Sequence, residues 1–558
     1  MPENKIFKDP LFWLSFVIGG FFLSLTLWFS LGMDQALYCY SAWVWKNYNL
    51  LPYVGVWEHN FPGIFLVHWL EMALFGEGVL GFRIFDFLVQ LSCLPMIFYL
   101  ARRLSGSGVP GLLTVGQGKP CPYARLAGSL ATVFYGIYYF SLGNSGAGQR
   151  ETFILEIFLT CLTIAFSGQG LFRLRAAAIG LLLGFVFLLK PFYGLSWPVF
   201  GVFFLVTGMK QRPKKIRLDL LLFSICCLLP ALIFIFSYWR MGFAGQLYQE
   251  LVWYNLKIYS KMIDAKTQWK YFFLQDFLNL VFHDQPMIFL SALIAIGYQF
   301  RKRSLAKDKP LFWILLSLLF VCIFSYAFQA KFFPYQMAPF MGFLIIFSGW
   351  AFGQAVFMLK DLTRSAPGKT ALAAACVILI ILAIANTDPW LRGFAARYCF
   401  RDFDRAYQAG AGTVYDTQLS ANYFQVARFL KPEVKPGDEI ACFGPYPLLP
   451  FLLKTKLVTT FPCVQYLLRM RMDGQIPDLQ KKWIEEFSGQ IVSARPRFIV
   501  VSDSFPAWNN AFFNYTQRDL AKALDHQFPG LKTFITNDYK LKAVIGHVKV
   551  YEIISVDK

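Results

Sequence analysis

An aspartate stands at the head of an aromatic-rich segment that follows the first long apolar stretch of the chain. Asp34 is followed by Tyr38, Tyr40, Trp43 and Trp45, and these ring types are enriched where a membrane meets water. A carboxylate at the outer edge of a membrane span needs water, a partner or a function. Asp34 is therefore a candidate general base at the level of the lipid headgroups, the alternative being a carboxylate that caps the start of a helix.

Two more candidate groups close the same segment, in the sequence Trp-Glu-His-Asn-Phe-Pro-Gly at residues 57–63. Glu58 and His59 offer a carboxylate and an imidazole that can bind a divalent metal or an acceptor, and Asn60 follows them. Two adjacent residues do not make a metal-binding motif, so a hydrogen-bonded pair at the membrane surface stays open. His68 is interpreted as an interfacial residue without a site role.

Cationic side chains recur at the outer ends of later apolar runs. Arg150, Lys190 and Lys331 each stand at such an end, and together they can converge on one phosphate group. The alternative is that each extends its charge to the lipid headgroups. Their polar neighbours are further candidates for a donor or acceptor pocket: Glu151, Tyr335 and Gln336.

One pair of opposite charges stands near the start of the second apolar run. Arg83 and Asp86 are three residues apart, so they share one face of a helix. They form either a structural ion pair or a part of the same pocket.

The composition indicates which class of protein must position these groups. The chain has 558 residues, of which 56% are hydrophobic and only 15% charged, which excludes an ordinary soluble domain and favours a polytopic membrane protein. Its net charge of +20 lies mostly in short loops between apolar runs, which is a topology signal and not a sign of nucleic-acid binding. The eleven cysteines show no C-x-x-C spacing, so neither a disulfide framework nor a zinc motif is predicted.

A membrane span needs about 20 mostly apolar residues, and roughly eleven runs qualify. The predicted spans are Phe12–Leu31, Val79–Leu100, Leu126–Leu142, Thr152–Phe166, Ala176–Leu189, Phe192–Val206, Leu218–Tyr238, Met287–Phe300, Leu311–Phe328, Met337–Phe357 and Ala371–Ala385. The two spans on either side of Lys190 and Pro191 could also form one.

The lysines and arginines of alternate loops predict which side is the cytoplasm. With eleven spans, the basic loops all fall on one side together with the N-terminus, which the positive-inside bias assigns to the cytoplasm. The C-terminus and two long loops, 33–78 and 240–285, then lie outside. Loop 33–78 is predicted to form two interfacial helices, broken near Pro52 and Pro62.

The composition changes to that of a soluble domain after about Asn386, which divides the chain into a membrane domain, 1–386, and an extracytoplasmic α/β domain, 387–558. The predicted strands of the second domain are Glu439–Phe443, Leu457–Phe461, Arg497–Ser502 and Val548–Ile553. Its predicted helices are Asn422–Lys431, Gln480–Phe487 and Gln517–Gln527. No nucleotide-binding glycine loop follows any of these strands.

The order of the motifs resembles a known family. An Asp opens the first outer loop, Trp-x-x-x-Phe-Pro-Gly closes it, and Arg-x-x-Asp enters the second span; Gln-Arg-Glu at 149–151, Leu-Lys-Pro at 189–191 and Phe-Phe-Pro-Tyr at 332–335 follow. Over roughly residues 1–390 this order is similar to that of the polytopic GT-C glycosyltransferases of the protein O-mannosyltransferase and aminoarabinose transferase group, which in bacteria often carry an outer C-terminal domain.

The resemblance implies a function. Enzymes of this family take a sugar from a polyprenyl-phosphate carrier and transfer it, usually with inversion, to an acceptor outside the cytoplasm: lipid A, a glycan or a protein. Asp34 matches the family's first-loop catalytic acidic residue, and the implied location is the bacterial inner membrane. Many relatives carry Lys-Pro-Pro where this chain has Asn60, Phe61 and Pro62, so another cation must replace the phosphate-contacting lysine.

Two other classes of function remain as alternatives. A transporter or a flippase for lipid-linked sugars is also polytopic, but such proteins more often show internal repeats and spans broken near the midplane. The sequence shows no repeat, and its charged motifs gather at one membrane face, which favours chemistry at the surface. A sensor or assembly scaffold would explain the C-terminal domain but not the charged loops.

Overall fold

The computed structural model describes residues 6–106, 122–166, 171–211, 213–262, 270, 278, 285–301, 309–329, 331, 333–362, 414–435, 437–503, 515–517 and 519–554. The predicted span Ala371–Ala385 and part of loop 240–285 lie outside these ranges.

The described chain is mainly helical. Its helices are α1 Pro10–Ser24, α2 Met33–Tyr48, α3 Gly63–Phe75, α4 Val79–Gly106, α5 Pro122–Ser141, α6 Gly143–Gly146, α7 Arg150–Phe166, α8 Phe172–Leu189, α9 Ser196–Gln211, α10 Ile216–Arg240, α11 Ala244–Leu247, α12 Tyr254–Lys257, α13 Pro286–Arg301, α14 Lys309–Gln329, α15 Ala338–Leu362, α16 Val414–Leu430, α17 Leu448–Leu453, α18 Gln465–Leu468, α19 Asp478–Ala494, α20 Leu520–Gln527 and α21 Pro529–Asp538. Short 3-10 turns span Leu25–Trp28, Pro191–Leu195, Tyr259–Lys261 and Pro334–Met337, and a π-helix spans Tyr248–Trp253.

Seven helical stretches in the described ranges are long and apolar enough to cross a membrane. They are Pro10–Trp28, Val79–Ser105, Phe172–Leu189, Pro191–Lys210, Ile216–Arg240, Pro310–Gln329 and Pro334–Ala355. All seven coincide with predicted spans, which confirms the expectation of a multi-pass membrane protein. Three other predicted spans are helical as α5, α7 and α13, and the total of eleven remains a prediction.

The spans around Lys190 are two separate helices. Lys190 leaves the helical conformation, with φ −163° and ψ 107°, and thereby ends α8. Pro191 then begins the 3-10 turn that leads into α9, because the ring of a proline suits the first position of a helix and not its interior.

The chain divides into two compact units that do not follow the order of the sequence. Unit 1 comprises residues 1–29, 83–234 and 269–391, and unit 2 comprises residues 30–82, 235–268 and 392–558. Most of loop 33–78 and the C-terminal residues therefore belong to one unit.

Small residues let the helices of unit 1 approach closely. A Cβ on Gly136 of α5 would lie 2.5 Å from the carbonyl oxygen of Gly19 in α1. A Cβ on Gly349 of α15 would lie 2.5 Å from the carbonyl oxygen of Ala127 in α5. Contacts of this kind between small residues are how helices pack inside a membrane, where lipid tails compete equally well for apolar side chains.

In unit 2, residues 33–78 form two helices, as predicted. Helix α2 ends at Tyr48 and is capped by Asn49, whose φ of 55° is left-handed, and α3 begins after Pro62. The breaks fall where a left-handed residue and a proline interrupt the helical hydrogen bonds.

The C-terminal residues of unit 2 form a five-stranded mixed sheet. The strands are β1 Glu439–Phe443, β2 Lys456–Leu457, β3 Phe498–Ser502, β4 Tyr539–Ile545 and β5 Val548–Ile553, in the order β2-β1-β3-β5-β4. Strand β1 pairs in parallel with β2 and β3, whereas β5 pairs antiparallel with β3 and β4. Strand β2 is shorter than the predicted strand Leu457–Phe461 and begins one residue earlier. Strand β4 was not predicted.

Candidate functional site

Asp34 occupies the first turn of α2, and it does not cap that helix. The residue at the N-cap is Gly32, so the interpretation of Asp34 as a helix cap is wrong. Its half-buried carboxylate lies where the helix dipole favours a negative charge. In the same unit, the pKa of the Tyr466 phenol lies well above its ordinary value, mainly because the phenol is buried. The negative charge of Glu58 and, to a smaller degree, that of Asp34 raise this pKa further.

Glu58 organises the backbone of the loop between α2 and α3. Its Oε1 accepts hydrogen bonds from the backbone nitrogens of His59 at 2.7 Å and Asn60 at 3.0 Å, and from the Asn60 amide at 2.7 Å. The Tyr466 hydroxyl donates to the same oxygen at 3.3 Å. Glu58 is fully buried, so these donors replace the water that its Oε1 atom loses.

The position of the Arg469 guanidinium indicates which nitrogen of the His59 ring carries a proton. Arg469 Nη1 lies 3.3 Å from His59 Nε2, and a guanidinium can only donate. Nε2 is therefore the unprotonated nitrogen, and the proton sits on Nδ1, which faces Glu58 Oε1 at 3.2 Å.

Aromatic rings enclose these charged groups. The Arg469 guanidinium lies 4.7 Å and 4.8 Å from the ring centres of Tyr259 and Tyr466, and its Nη1 donates to the Tyr254 hydroxyl at 3.2 Å. The Trp57 ring lies 4.7 Å from that of Tyr254. Rings in such positions stabilise a buried cation through their negative faces.

A second buried carboxylate supports the loop from the π-helix. Glu250 Oε2 accepts the backbone N–H of Glu58 at 2.8 Å. Burial is the main reason that the pKa of Glu250 lies well above its ordinary value, and the Glu58 charge adds to the effect. Asn255 continues the contact by donating to the His59 carbonyl at 2.8 Å.

In unit 1, Arg83 and Asp86 are fully buried. The Arg83 guanidinium donates to the carbonyl oxygens of Phe29 at 3.3 Å, Ala147 at 2.8 Å and Asn144 at 3.1 Å. Its Nη1 lies 3.8 Å from Asp86 Oδ2. The arginine thus ties three chain segments of the unit together.

The Gln-Arg-Glu motif meets Lys190 in the same unit. Lys190 Nζ forms an ion pair and a hydrogen bond with Glu151 Oε1, and both side chains are buried, as is Arg150 beside them. One of the three predicted phosphate-binding cations, Lys190, is therefore paired with the carboxylate that follows Arg150 in the sequence.

The third predicted cation, Lys331, is half-buried just before the turn Pro334–Met337. This turn, with the buried Tyr335 and Gln336, packs against α6 and α7. The polar ends of α7 and of the 331–337 segment are thus neighbours within unit 1.

Several residues of the cluster around Glu58 were missed in the sequence, namely Glu250, Tyr254, Asn255, Tyr466 and Arg469. The partners lie 192 to 410 residues from Glu58 or His59 along the chain. The one available signal was an arginine directly after the apolar run at 466–468.

The contacts around Glu58 also concern the prediction that Glu58 and His59 bind a divalent metal. Glu58 Oε1 and His59 Nε2 are occupied by hydrogen bonds in the arrangement above. Within the described ranges, one group of three side chains can hold a metal ion, and it consists of Cys39, His68 and Glu71, without Glu58 or His59.

Comparison with known proteins identifies the fold. No protein-family model matches the chain, and no curated protein matches it either. The structure is similar to a crystal structure of ArnT from Cupriavidus metallidurans bound to undecaprenyl phosphate, with a TM-score of 0.55 and 14% identity over 98% of each chain. It is similar to the same protein in the apo state with a TM-score of 0.50 and 14% identity, over 97% of this chain and 96% of that one.

A match to the oligosaccharyltransferase of Archaeoglobus fulgidus in complex with Zn and sulfate covers 88% of this chain and 68% of that one at 12% identity. Its TM-score of 0.44 is too low for a structural comparison. The two ArnT structures confirm, at the level of the fold, the resemblance to the aminoarabinose transferase group.

Proposed function

We propose that this chain is a membrane glycosyltransferase that transfers a sugar from a polyprenyl-phosphate donor to an acceptor outside the cytoplasm. The observation that carries the proposal is a half-buried Asp34 in the first turn of α2, in a chain whose fold matches ArnT bound to undecaprenyl phosphate. A fold alone does not define an activity, so the roles rest on the individual side chains.

Asp34 is proposed as the general base of an inverting transfer. Its carboxylate takes the proton of the acceptor hydroxyl while the oxygen attacks the anomeric carbon, and the polyprenyl phosphate leaves. Asp34 suits this role because its half-buried carboxylate lies in the first turn of α2.

Arg150, Lys190 and Lys331 are proposed to stabilise the charge of the leaving phosphate. Arginine offers a planar pair of donors, whereas lysine supplies a point charge. In the structure Lys190 pairs with Glu151, so the donor phosphate exchanges with this carboxylate as the partner of Lys190.

The remaining polar residues are proposed to shape the donor and acceptor pocket, some by contact and some by support. They are Glu58, His59, Asn60, Arg83, Asp86, Glu151, Tyr335 and Gln336. Glu58, Arg83 and Asp86 act as supports, because Glu58 Oε1, the Arg83 guanidinium and Asp86 Oδ1 already bind backbone groups or neighbouring side chains.

The decisive experiment measures sugar transfer by the purified protein from a polyprenyl-phosphate sugar, with Asp34→Asn beside the wild type at equal folded fraction. Loss of a positioned base lowers turnover by about 10²–10⁴-fold. Asp478→Asn is the matched control, since Asp478 also lies in the first turn of a helix. It should transfer sugar at the wild-type rate.

Near-normal turnover of Asp34→Asn would move the base to another residue. A protein that carries lipid-linked sugar across vesicles without transferring it would instead support the flippase alternative.

We expect the protein to lie in the inner membrane, with its basic loops on the cytoplasmic side. Reporter fusions after Lys215 and after Gly242, which flank α10, should report opposite sides. The same side for both would contradict the topology.

A further inference from the structure

A compact group of three potential metal ligands lies between the two helices of the first outer loop. Cys39 belongs to α2, and His68 and Glu71 belong to α3. The two helices pack against each other within unit 2. Cys39 and His68 are fully buried and Glu71 is 1% exposed, so the group is closed to solvent.

Two of the three separations between the ligand atoms match a tetrahedral metal site. Cys39 Sγ lies 3.3 Å from His68 Nδ1, and His68 Nδ1 lies 3.5 Å from Glu71 Oε2. The ligand atoms all lie within 4.8 Å of one another. Tetrahedral zinc with bonds of about 2.3 Å to sulfur and about 2.0–2.2 Å to nitrogen and oxygen places its ligand atoms roughly 3.3–3.6 Å apart.

The carboxylate of Glu71 is not satisfied by hydrogen bonds. Neither of its oxygens accepts one within the described residues, although a carboxylate buried away from water is costly without a partner. Its contact with His68 is the 3.5 Å separation already given. Two lysines whose charge acts on Glu71, Lys46 and Lys454, are themselves bound to Glu77 through its side chain and its carbonyl oxygen.

We propose that Cys39, His68 and Glu71 bind one Zn²⁺ ion. A thiolate, an imidazole and a carboxylate form a donor set that zinc accepts, and a metal cation supplies the partner that Glu71 lacks. The three protein ligands leave one tetrahedral position for a further ligand such as water. This site is separate from Glu58 and His59 and does not depend on the proposed glycosyltransferase activity.

The ion would connect two helices that the chain joins only through residues 49–62. Cys39 lies five residues after Asp34 on α2, so a bond from zinc to α3 fixes the helix that carries Asp34. Because the site is closed, the ion has to enter as the loop folds, and its binding free energy becomes part of the stability of this unit.

The test uses the full chain expressed with added zinc or cobalt and purified in detergent without chelator. We expect one metal ion per chain by elemental analysis, and the cobalt form should show a cobalt–thiolate charge-transfer band. Cys39→Ser and Glu71→Gln should each lower the metal content at least tenfold. Cys442→Ser is the control, since Cys442 is another buried free cysteine of the same unit, and it should keep the metal.

The wild-type protein alone also decides the question if a variant does not fold. Wild-type protein without stoichiometric metal and without a thiolate band in the cobalt form would overturn the proposal, leaving Cys39, His68 and Glu71 as a hydrogen-bonded core. The proposal would fail equally if Cys39→Ser kept both the metal and the band.

Discussion

The two compact units hold their buried charges in different ways. In unit 1 opposite charges face each other, as Lys190 does with Glu151 and Arg83 with Asp86. In unit 2 Glu58 is held by backbone and side-chain donors, and Arg469 by tyrosine rings and hydroxyls. The Lys190–Glu151 pair of unit 1 neutralises charge with charge, whereas Glu58 and Arg469 of unit 2 are oriented by dipoles and ring faces.

The difference has a consequence for ligand binding. A phosphate bound to Lys190, as proposed, would compete with the Glu151 carboxylate for its ammonium group, so Lys190 is proposed as a switchable contact. A carboxylate fixed by N–H donors keeps its place whether or not a ligand is bound. Unit 2 is therefore preorganised around Glu58, and unit 1 has a pair of side chains that a phosphate can rearrange.

The largest expected effect comes from Arg83→Met in unit 1. The change leaves three buried carbonyl oxygens without their donor and Asp86 without its counter-charge. Breaking a buried pair from one side costs about 3–5 kcal/mol, so we expect a loss of this size in the free energy of unfolding, measured by denaturant titration in micelles. Lys214→Met, at an exposed position, should leave it unchanged.

A double-mutant cycle tests the switchable pair. Lys190→Met and Glu151→Gln should each destabilise the protein by about 3 kcal/mol, because each leaves a buried partner uncompensated. The double variant should lose less than the sum of the two, by about 0.5–3 kcal/mol. Strict additivity would mean that the two groups do not depend on each other and would remove the contrast between the units.

The elements of unit 1 could be predicted because hydropathy reports directly on the membrane. All seven apolar spans were predicted from windows of apolar residues, and Pro191 marked the break after Lys190. In the C-terminal region β1 and β5 matched their predicted bounds, because dense apolar or alternating residues identify a strand. Strand β4 was not predicted, although its lysines at 540 and 542 alternate with apolar residues.

The candidate site could be predicted only in part, because its contacts are not local. Asp34 and Glu58 were chosen from the sequence, whereas Arg469 reaches His59 across 410 residues. His68 was interpreted as an interfacial residue, yet it is fully buried beside Cys39. Its partner Cys39 is on another helix, and no spacing rule connects a cysteine to a histidine 29 residues away.

A smaller effect is expected in unit 2 from Glu58→Gln. The amide oxygen keeps the acceptor for His59 and Asn60, so only the charge assistance of the hydrogen bonds is lost, at about 1–2 kcal/mol. Glu486→Gln, which alters another glutamate of the unit, at the surface of α19, serves as the control in the same denaturant titration. A loss above about 4 kcal/mol for Glu58→Gln would show that Glu58 is held as an ion partner, like the pairs of unit 1.

The smallest effect concerns an ion-pair network at the surface of unit 2, where Glu552 meets Lys542 at 3.1 Å and Arg497 at 3.0 Å. Although burial raises the pKa of Glu552, hydrogen bonds from Lys542 and Arg497 outweigh it, and the pKa falls below its ordinary value. The stabilisation is thus present above the pKa of the unfolded chain, about 4.3, and is lost as the pH falls through the lower folded-state pKa. Water screens such pairs, so Glu552→Gln should cost only about 0.2–1 kcal/mol at pH 7. Unfolding titrations of wild type and variant at pH 7 and pH 3 should show the gap closing at pH 3. A gap as large as that of Lys190→Met would place this network with the buried pairs of unit 1, and a gap that widens in acid would contradict a contribution from ion pairs.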